Sequence, residues 1–417
     1  MQVDQRATTT AGPHPSSLGL PSVAPSSVRA DAGAASGEGR LRGVRFPLAV
    51  YAASRLLVLV PALVVAALNR SGDPGAGPWP SVGGTGVVRV LGRWDSAWYL
   101  DIAANGYPGR DDLAARLETV AFFPVLPALV RGTASLTGLS QPVAGVLLAT
   151  LLGALAVVVV WRLVDHLAGR QAANRSAALL SVFPGAFVFS TTYAEPLLLA
   201  AAGGCLLALC RRNWVLAGVL GAVATASRPN GVVVVAACAV AAVEAVRRDG
   251  DRRALLAPAI APVGIAGYFG FLWWHTGHVE AWFDSQREAW GDSIDFGRGT
   301  IGRTLGFIVD PHVGLQHIEL NPLVGVLGLA FTVVALMALW RWRPPLPVSV
   351  YGVLAIGMAL VSNHVGPRPR FILAAFPLVV AVAVMSTGRT YRVLLAGSAT
   401  LLVALSVIQF TTVAATP

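Results

Sequence analysis

Residues 142–164 read PVAGVLLATLLGALAVVVVWRLV, twenty-three positions interrupted by a single charge, Arg162. At 1.5 Å of rise per residue such a run crosses the roughly 30 Å hydrocarbon core of a bilayer. Immediately after it, DHLAGRQAANR (165–175) supplies Arg170 and Arg175, and a second apolar run begins. The same alternation of apolar run and short arginine-bearing turn extends in both directions. It predicts helices near 46–68, 142–164, 174–193, 195–210, 213–227, 230–246, 254–274, 321–340, 347–363, 370–387 and 391–413. Segment 119–136 is apolar but broken by Pro124 and Pro127, and reads as interfacial or re-entrant. The fold class expected is an all-α polytopic membrane protein of about eleven transmembrane helices, with a first outer loop carrying interfacial helices.

Composition agrees. Of 417 residues, 55% are hydrophobic and only 12% charged, against about 25% charged in soluble domains. A soluble multi-domain chain would lack the polar surface to cover these runs. The net charge is +10, carried entirely by arginine, since there is no lysine. A nucleic-acid partner would need that charge gathered on one exposed face; here it is dispersed between apolar runs. Cys205, Cys210 and Cys238 all lie inside apolar segments, which suggests neither a disulfide framework nor a zinc site. Residues 1–40, rich in Ala, Gly, Pro, Ser and Thr, are expected to form a disordered cytoplasmic tail, with 41–417 as the transmembrane domain.

Arg40, Arg42 and Arg45 precede the first helix, and placing them in the cytoplasm fixes the remaining sides. The turns bearing Arg162/Arg170/Arg175, Arg211/Arg212, Arg247/Arg248/Arg252/Arg253, Arg341/Arg343 and Arg389/Arg392 then all fall inside. Loops of about 69–141 and 275–320 fall outside, as do the short turns at Tyr193-Ala194-Glu195, Ser227-Arg228-Pro229-Asn230 and His364 to Arg370. The last two hold arginine against the positive-inside trend, and charges at membrane depth are functional hypotheses by default.

In the first outer loop, Trp94–Ala104 reads as a short amphipathic helix ended by Asn105-Gly106. Asp95 shares a face with Tyr99 and Ile102, so it is expected beside an aromatic wall, where a carboxylate holds a proton more readily and suits general-base work. An ordinary helix cap is the alternative; Asp101 reads as a solvated helix residue. Arg228, in a Ser-Arg-Pro-Asn-Gly break, and Arg368 and Arg370 in a second turn, form two cationic sites suited to phosphate; snorkelling to lipid headgroups is the bland reading. Arg55 lies within the first helix, where pairing or snorkelling serves as well as function. His275, His278 and Glu280 have loose spacing for a metal site. Trp282, Gln286, Arg287 and Trp290 recur at helical spacing, a surface suited to a sugar or to the membrane interface. The expected substrate pocket comprises Trp94, Trp98, Tyr99, Tyr107, Glu195, Asn230, Gln286 and Trp290.

The pattern Trp94-Asp95-x-x-Trp98-Tyr99-x-x-Ile102-Ala103-x-x-Gly106-Tyr107, followed by Ala121-Phe122-Phe123-Pro124-x-x-Pro127, resembles the first-loop signature of the PIG-V-like mannosyltransferases. This is the family of GPI mannosyltransferase 2 and its bacterial relatives. Phe183-Pro184 with Tyr193-Ala194-Glu195, Ser227-Arg228-Pro229-Asn230-Gly231, and Arg370-Phe371 leading to Phe376-Pro377 extend the similarity over about residues 46–387. The resemblance implies a GT-C glycosyltransferase fold and a polyprenyl- or dolichyl-phosphate mannose donor, used with inversion on the non-cytoplasmic face of the plasma membrane. It implies that Asp95 deprotonates the acceptor hydroxyl while Arg228, Arg368 and Arg370 hold the donor phosphate. The acceptor would be a cell-envelope lipid, glycan or protein; no cofactor is expected and no obligatory metal. A transporter or lipid flippase is the rival, with polar residues near the midplane, and a lipid-binding structural protein is a third possibility.

Overall fold

A computed structural model of the chain describes residues 37–68, 80, 84–309, 313–314, 317–318, 320–363 and 366–412. Most of the expected tail, 1–36, lies outside these, as do His364 and Val365 of the last outer turn and parts of both long loops. The chain divides into Met1–Arg42 and Gly43–Pro417. Among the described residues, the second unit holds every helix except the opening turns of the first.

The elements in order are α1 (Gly37–Ala67, its apolar span Gly43–Ala67), α2 (Gly86–Leu91), α3 (Asp95–Asn105), a 3-10 turn (Ala114–Ala121), α4 (Val125–Thr137), α5 (Gln141–Val182), a 3-10 turn (Pro184–Phe189), α6 (Glu195–Cys210), α7 (Trp214–Thr225), a 3-10 turn (Pro229–Val232) and α8 (Val233–Asp249). After these come α9 (Leu256–Ile260), α10 (Val263–Thr276), α11 (Ala281–Asp284), α12 (Arg298–Val309), α13 (Leu320–Trp342), α14 (Leu346–Val361), α15 (Pro369–Ala374), α16 (Phe376–Met385) and α17 (Gly388–Thr411). A two-residue antiparallel ladder pairs Val313–Gly314 with His317–Ile318.

Among the described residues six helical segments are long and apolar enough to cross a bilayer, and α6, α7, α14 and α16 are shorter apolar helices. The turn Ala114–Ala121 and α4 form a pair bent by 93°, the broken or re-entrant element expected from Pro124. Two predicted boundaries and one predicted helical face are corrected. The helices expected at 142–164 and 174–193 are both present, as the two arms of α5, which break at the non-helical Gly169 (φ 80°, ψ 170°) within the arginine-bearing turn; the second arm stops at Val182, short of the expected end, because Pro184 cannot continue the hydrogen-bond ladder. The helix expected at 370–387 is split at Ala375, ahead of Phe376-Pro377. The helical face expected for Trp282 to Trp290 does not form, because Ser285–Ala289 is a π turn that shifts the 3.6-residue phase.

The core is the packing of α5 against α6 and α16, of α6 against α7, and of α13 against α16, filled by alanines, leucines and valines. Leu56, Leu63, Leu151, Leu155, Leu327 and Trp340 point outward, as lipid-facing positions must when the solvent is hydrocarbon. Helix direction sets the two ends apart. Glu195, Arg228 and the 366–370 turn lie at one end. At the other, Arg212 pairs with Asp249, the Trp214 indole donates to Asp251 (2.8 Å), and Arg175 donates to the final carbonyls of α16, Ala383 (3.1 Å) and Val384 (3.2 Å).

Candidate active site

Each charged side chain of the expected site sits where a helix begins. Asp95 is the first residue of α3 and Glu195 the first of α6. Arg228 precedes the Pro229–Val232 turn, and Arg368 precedes α15, whose first turn carries Arg370. Three of these residues are followed directly by proline: Glu195-Pro196, Arg228-Pro229 and Arg368-Pro369. Proline suits the first helical turn and pushes its predecessor toward extended backbone, which Arg228 (φ −161°, ψ 155°) and Arg368 (φ −70°, ψ 154°) adopt. The dipeptides therefore hold charged side chains at helix entrances.

There four of these five charges, Asp95, Glu195, Arg228 and Arg370, converge from distant parts of the chain. Arg370 ion-pairs with Asp95. Glu195 Oε1 lies 2.5 Å from Arg228 Nη1 and 3.9 Å from Arg370 Nη1. Side-chain exposure is 14% for Asp95, 11% for both arginines and 1% for Glu195, so these are desolvated charges that only mutual pairing makes tolerable. The Arg228–Glu195 approach is close but poorly angled. Both Glu195 oxygens, Arg228 Nε and Nη1, Arg370 Nε and Asn230 Oδ1 are buried without a hydrogen-bond partner. A buried polar group left so costs about 1–3 kcal/mol, and capacity concentrated in one place marks a site shaped for a polar ligand.

Aromatic rings frame the charges. Phe371 lies under Arg370 (4.6 Å) and Arg228 (6.0 Å), and Tyr193 under Arg370 (5.5 Å). The Tyr193 hydroxyl accepts the Asp95 backbone N–H at 3.3 Å. The Tyr99 hydroxyl is buried within the electrostatic reach of Arg228, Glu195, Asp95 and Arg370 together, and burial holds its pKa above the ordinary phenol value. Arg368, in the turn itself, is lowered to about 10 by burial and then by Arg370, with Asp95 opposing. Beside the aromatic rings, a guanidinium that the sequence does not announce sits on the Asp95 carboxylate.

Other expected residues lie elsewhere. The Trp94 indole donates to the Gln409 carbonyl (3.0 Å), and Arg93 donates to those of Phe410 and Thr412. Together they cap the C-terminus of α17, whose last carbonyls have no helical partner. Trp94 holds a left-handed φ of 61° directly before Asp95, a strained backbone for a residue with a Cβ. Trp98 stacks on Phe122 (5.9 Å) and meets Trp290 edge-on (5.8 Å), while the Trp290 indole donates to the Glu118 backbone carbonyl (3.2 Å). The second loop is thereby docked on the first. Tyr107 donates to the Phe122 carbonyl (2.6 Å) and packs on Tyr268 and Phe271. Gln286 lies in the π turn and makes no side-chain hydrogen bond to the charge cluster among the described residues.

Arg55 is a structural pin. It donates to the carbonyls of Ser181 and Ala186 (both 2.8 Å) and to Ser190 Oγ (3.1 Å) across the break between α5 and α6. Asp101 pairs with Arg116 at 2.6 Å. His275 meets the Tyr107 carbonyl, His278 pairs with Asp284, and Glu280 with Arg287. Among the described residues no three His, Cys, Asp or Glu side chains are placed to hold a metal ion. Two features escaped the sequence reading. Tyr193 is seated against Asp95, signalled by its place in the Tyr-Ala-Glu turn. Gly185 is packed so closely that a Cβ would lie 2.5 Å from the Pro369 carbonyl oxygen and 2.8 Å from the Arg370 nitrogen; no local sequence signal reveals that.

The family model described as dolichyl-phosphate-mannose-protein mannosyltransferase matches residues 122–274. That segment, under half of the chain, includes Glu195 and Arg228 and excludes Asp95 and Arg370. No curated protein sequence matches. Among solved structures, ArnT from Cupriavidus metallidurans bound to undecaprenyl phosphate aligns with a TM-score of 0.50 and 17% identity, covering 84% of this chain and 62% of ArnT. The archaeal oligosaccharyltransferase AglB from Archaeoglobus fulgidus, in complex with an inhibitory peptide and a dolichol-phosphate, aligns at 0.47 and 14%, covering 88% of this chain and 56% of AglB. The chain therefore spans about three fifths of the length of the structures it matches. Its architecture is the GT-C type of membrane fold, an all-α polytopic bundle.

Proposed function

We propose that this protein is a membrane glycosyltransferase that moves a sugar, mannose in the finer reading, from a polyprenyl-phosphate carrier to a cell-envelope acceptor. The buried cluster of Asp95, Arg370, Glu195 and Arg228 at one end of the bundle, with its unused hydrogen-bonding atoms, carries the proposal. The undecaprenyl phosphate bound to ArnT supports the carrier class, and the description of the matching family model supports mannose. The first-loop resemblance to PIG-V-like enzymes supports both. The arginine-rich connections at the opposite end favour the non-cytoplasmic face of the plasma membrane for the site.

In this mechanism Arg228, Arg370 and Arg368 hold the donor phosphodiester, drawing Arg370 from Asp95 as phosphate takes its place. The acceptor hydroxyl attacks the anomeric carbon, its proton passes to Asp95, and the C1–O bond to phosphate breaks. The electron pair leaves with polyprenyl phosphate, whose new negative charge the arginines stabilise. Tyr99 and Tyr193 orient the cluster.

The test is transfer of radiolabelled mannose from polyprenyl-phosphate mannose by purified, reconstituted protein, against a panel of envelope lipids, glycans and peptides. Labelled product that depends on the carrier supports the reading. Movement of the intact carrier across the bilayer, without cleavage, would favour the flippase instead.

A further inference from the structure

α12 is patterned inside out for a helix in water. Its inward face carries Thr300 and Thr304, both buried, whereas Ile301, Leu305, Ile308 and Val309 are each more than half exposed. Positions 301, 305 and 308 follow the i, i+4, i+7 spacing of one helical stripe. Arg298, at the edge of that stripe, is long enough to reach lipid headgroups. Gly302, Arg303 and Gly306 occupy the remaining, exposed flank. Three such faces suit protein, hydrocarbon and water in turn, the arrangement of a helix seated in a membrane interface. Length agrees, since twelve residues reach about 18 Å, short of the roughly 30 Å hydrocarbon core. α12 also packs on the span α13, whose opening turns expose Leu323 and Leu327, so the stripe stands beside a surface already given to lipid.

The other side of α12 grips the chain that leads into the arginine turn. Residues 292–295 run antiparallel to 361–363. The Asp295 N–H donates to the Val361 carbonyl (3.0 Å), the Asn363 N–H to that of Ser293 (2.9 Å), and the Ser362 hydroxyl to Asp292 (2.7 Å). Asp295 then caps α12, accepting from the N–H groups of Gly297 (2.8 Å) and Gly299 (2.6 Å). From within the helix, Arg303 donates to both oxygens of Asn363. A Cβ on Gly299 would stand 2.6 Å from Asn363 Oδ1, a closeness that only glycine permits. Arg368 and Arg370 follow a few residues later, and the Arg303 charge bears on Arg368.

We propose that α12 is an interfacial helix whose Ile301–Val309 stripe lies in the headgroup–acyl boundary of the bilayer, and that this contact holds the paired 361–363 segment and, through it, the Arg368–Arg370 turn. The partner is the lipid surface itself. Withdrawal of α12 from the bilayer would leave four apolar side chains in water and pull on the hydrogen bonds to 361–363. The seating of the arginines is thereby tied to membrane contact. Only the phosphate-binding arm of the test below rests on the function proposed above.

The experiment uses the full chain in nanodiscs of zwitterionic lipid, on a Cys210→Ser background because Cys205 and Cys238 are buried. A bimane label on Leu305→Cys should be quenched by lipids brominated near the top of the acyl chain and spared by aqueous iodide. On Gly302→Cys, where an added Cβ meets nothing within 4 Å, the preference should reverse. Iodide quenching at both positions would overturn the proposal. Quenching of Leu305→Cys by neither agent would place a protein partner or a second copy on the stripe and overturn it too. Lipid quenching that is lost on adding farnesyl phosphate would give the stripe to the donor's chain instead. The second arm is Ile301→Gln with Leu305→Gln, which changes no charge and no buried side chain. Hydrogen exchange at the Asp295 and Asn363 amides should quicken at least about tenfold, equivalent to about 1.4 kcal/mol. Farnesyl phosphate should bind about tenfold more weakly, and Leu305→Gln alone should shift both in the same direction by less. Unchanged exchange, or unchanged phosphate binding beside quickened exchange, would overturn the coupling to the arginine turn. Should wild type bind no farnesyl phosphate, the phosphate reading fails, and quenching with exchange decides this proposal alone.

Discussion

Gly185→Ala tests how the site is held together. The glycine lies in the 3-10 turn Pro184–Phe189, pinned by Arg55 through the Ala186 carbonyl. A Cβ there would stand 2.5 Å from the Pro369 oxygen, whereas ordinary contact begins near 3.4 Å. Either the turn or the 369–370 backbone must yield by about 0.9 Å, because the opposing atoms are backbone and cannot rotate away. Overpacking of this kind costs about 1–3 kcal/mol. If the strain is relieved on the Arg370 side, its pairing with Asp95 opens, and a displacement near 1 Å at a reacting group is worth about 100-fold in rate. The assay pairs thermal unfolding in detergent with the transfer rate. Gly267→Ala in α10 serves as control, since nothing lies within 4 Å of its added Cβ and alanine favours a helix over glycine by about 1 kcal/mol. A lowered melting temperature and a transfer rate down about 100-fold are expected for Gly185→Ala alone. Wild-type stability and rate together would refute the packing argument.

Trp94→Phe removes the indole N–H that meets Gln409; it should cost about 1 kcal/mol in stability and slow transfer by about tenfold, being adjacent to Asp95. Truncation after Val407, which deletes the same carbonyl partners, should reproduce the rate loss in the same assay. Arg55→Met strands the carbonyls of Ser181 and Ala186 and should destabilise by at least about 3 kcal/mol. Arg131→Met, at an exposed cap of α3, should cost about 1 kcal/mol, so the thermal midpoints should separate the two.

The spans were legible because lipid forces a residue-by-residue code, with apolar runs of near-constant length and arginines between them. The Asp95 helix was legible for the same kind of local reason, since Asn105-Gly106 must end it. The charge cluster was half legible. Glu195-Pro196, Arg228-Pro229 and Arg368-Pro369 announce charged helix entrances, but nothing in any one of them says that they meet. Trp94 reads as a pocket aromatic because its sequence neighbours are aromatic; its indole partner, Gln409, lies 315 residues away. Arg55 was ambiguous for the same reason, its hydrogen bonds spanning up to 135 residues. The second loop is not legible from helical spacing, because the π turn at Ser285–Ala289 changes the period. Local chemistry is written locally, whereas capping and close backbone approach are written in the partner.

The central claim is that the carboxylate of Asp95 receives the proton of the acceptor hydroxyl. Single-turnover transfer of labelled mannose from polyprenyl-phosphate mannose, wild type beside Asp95→Asn, tests it most directly, with farnesyl phosphate binding measured on the same samples. The amide keeps the shape of the side chain but removes the base and the counter-charge to Arg370. Transfer should fall by about 10²–10⁴-fold, while phosphate binding is retained or strengthened. Transfer within about tenfold of wild type, below the range a general base contributes, would contradict the assignment.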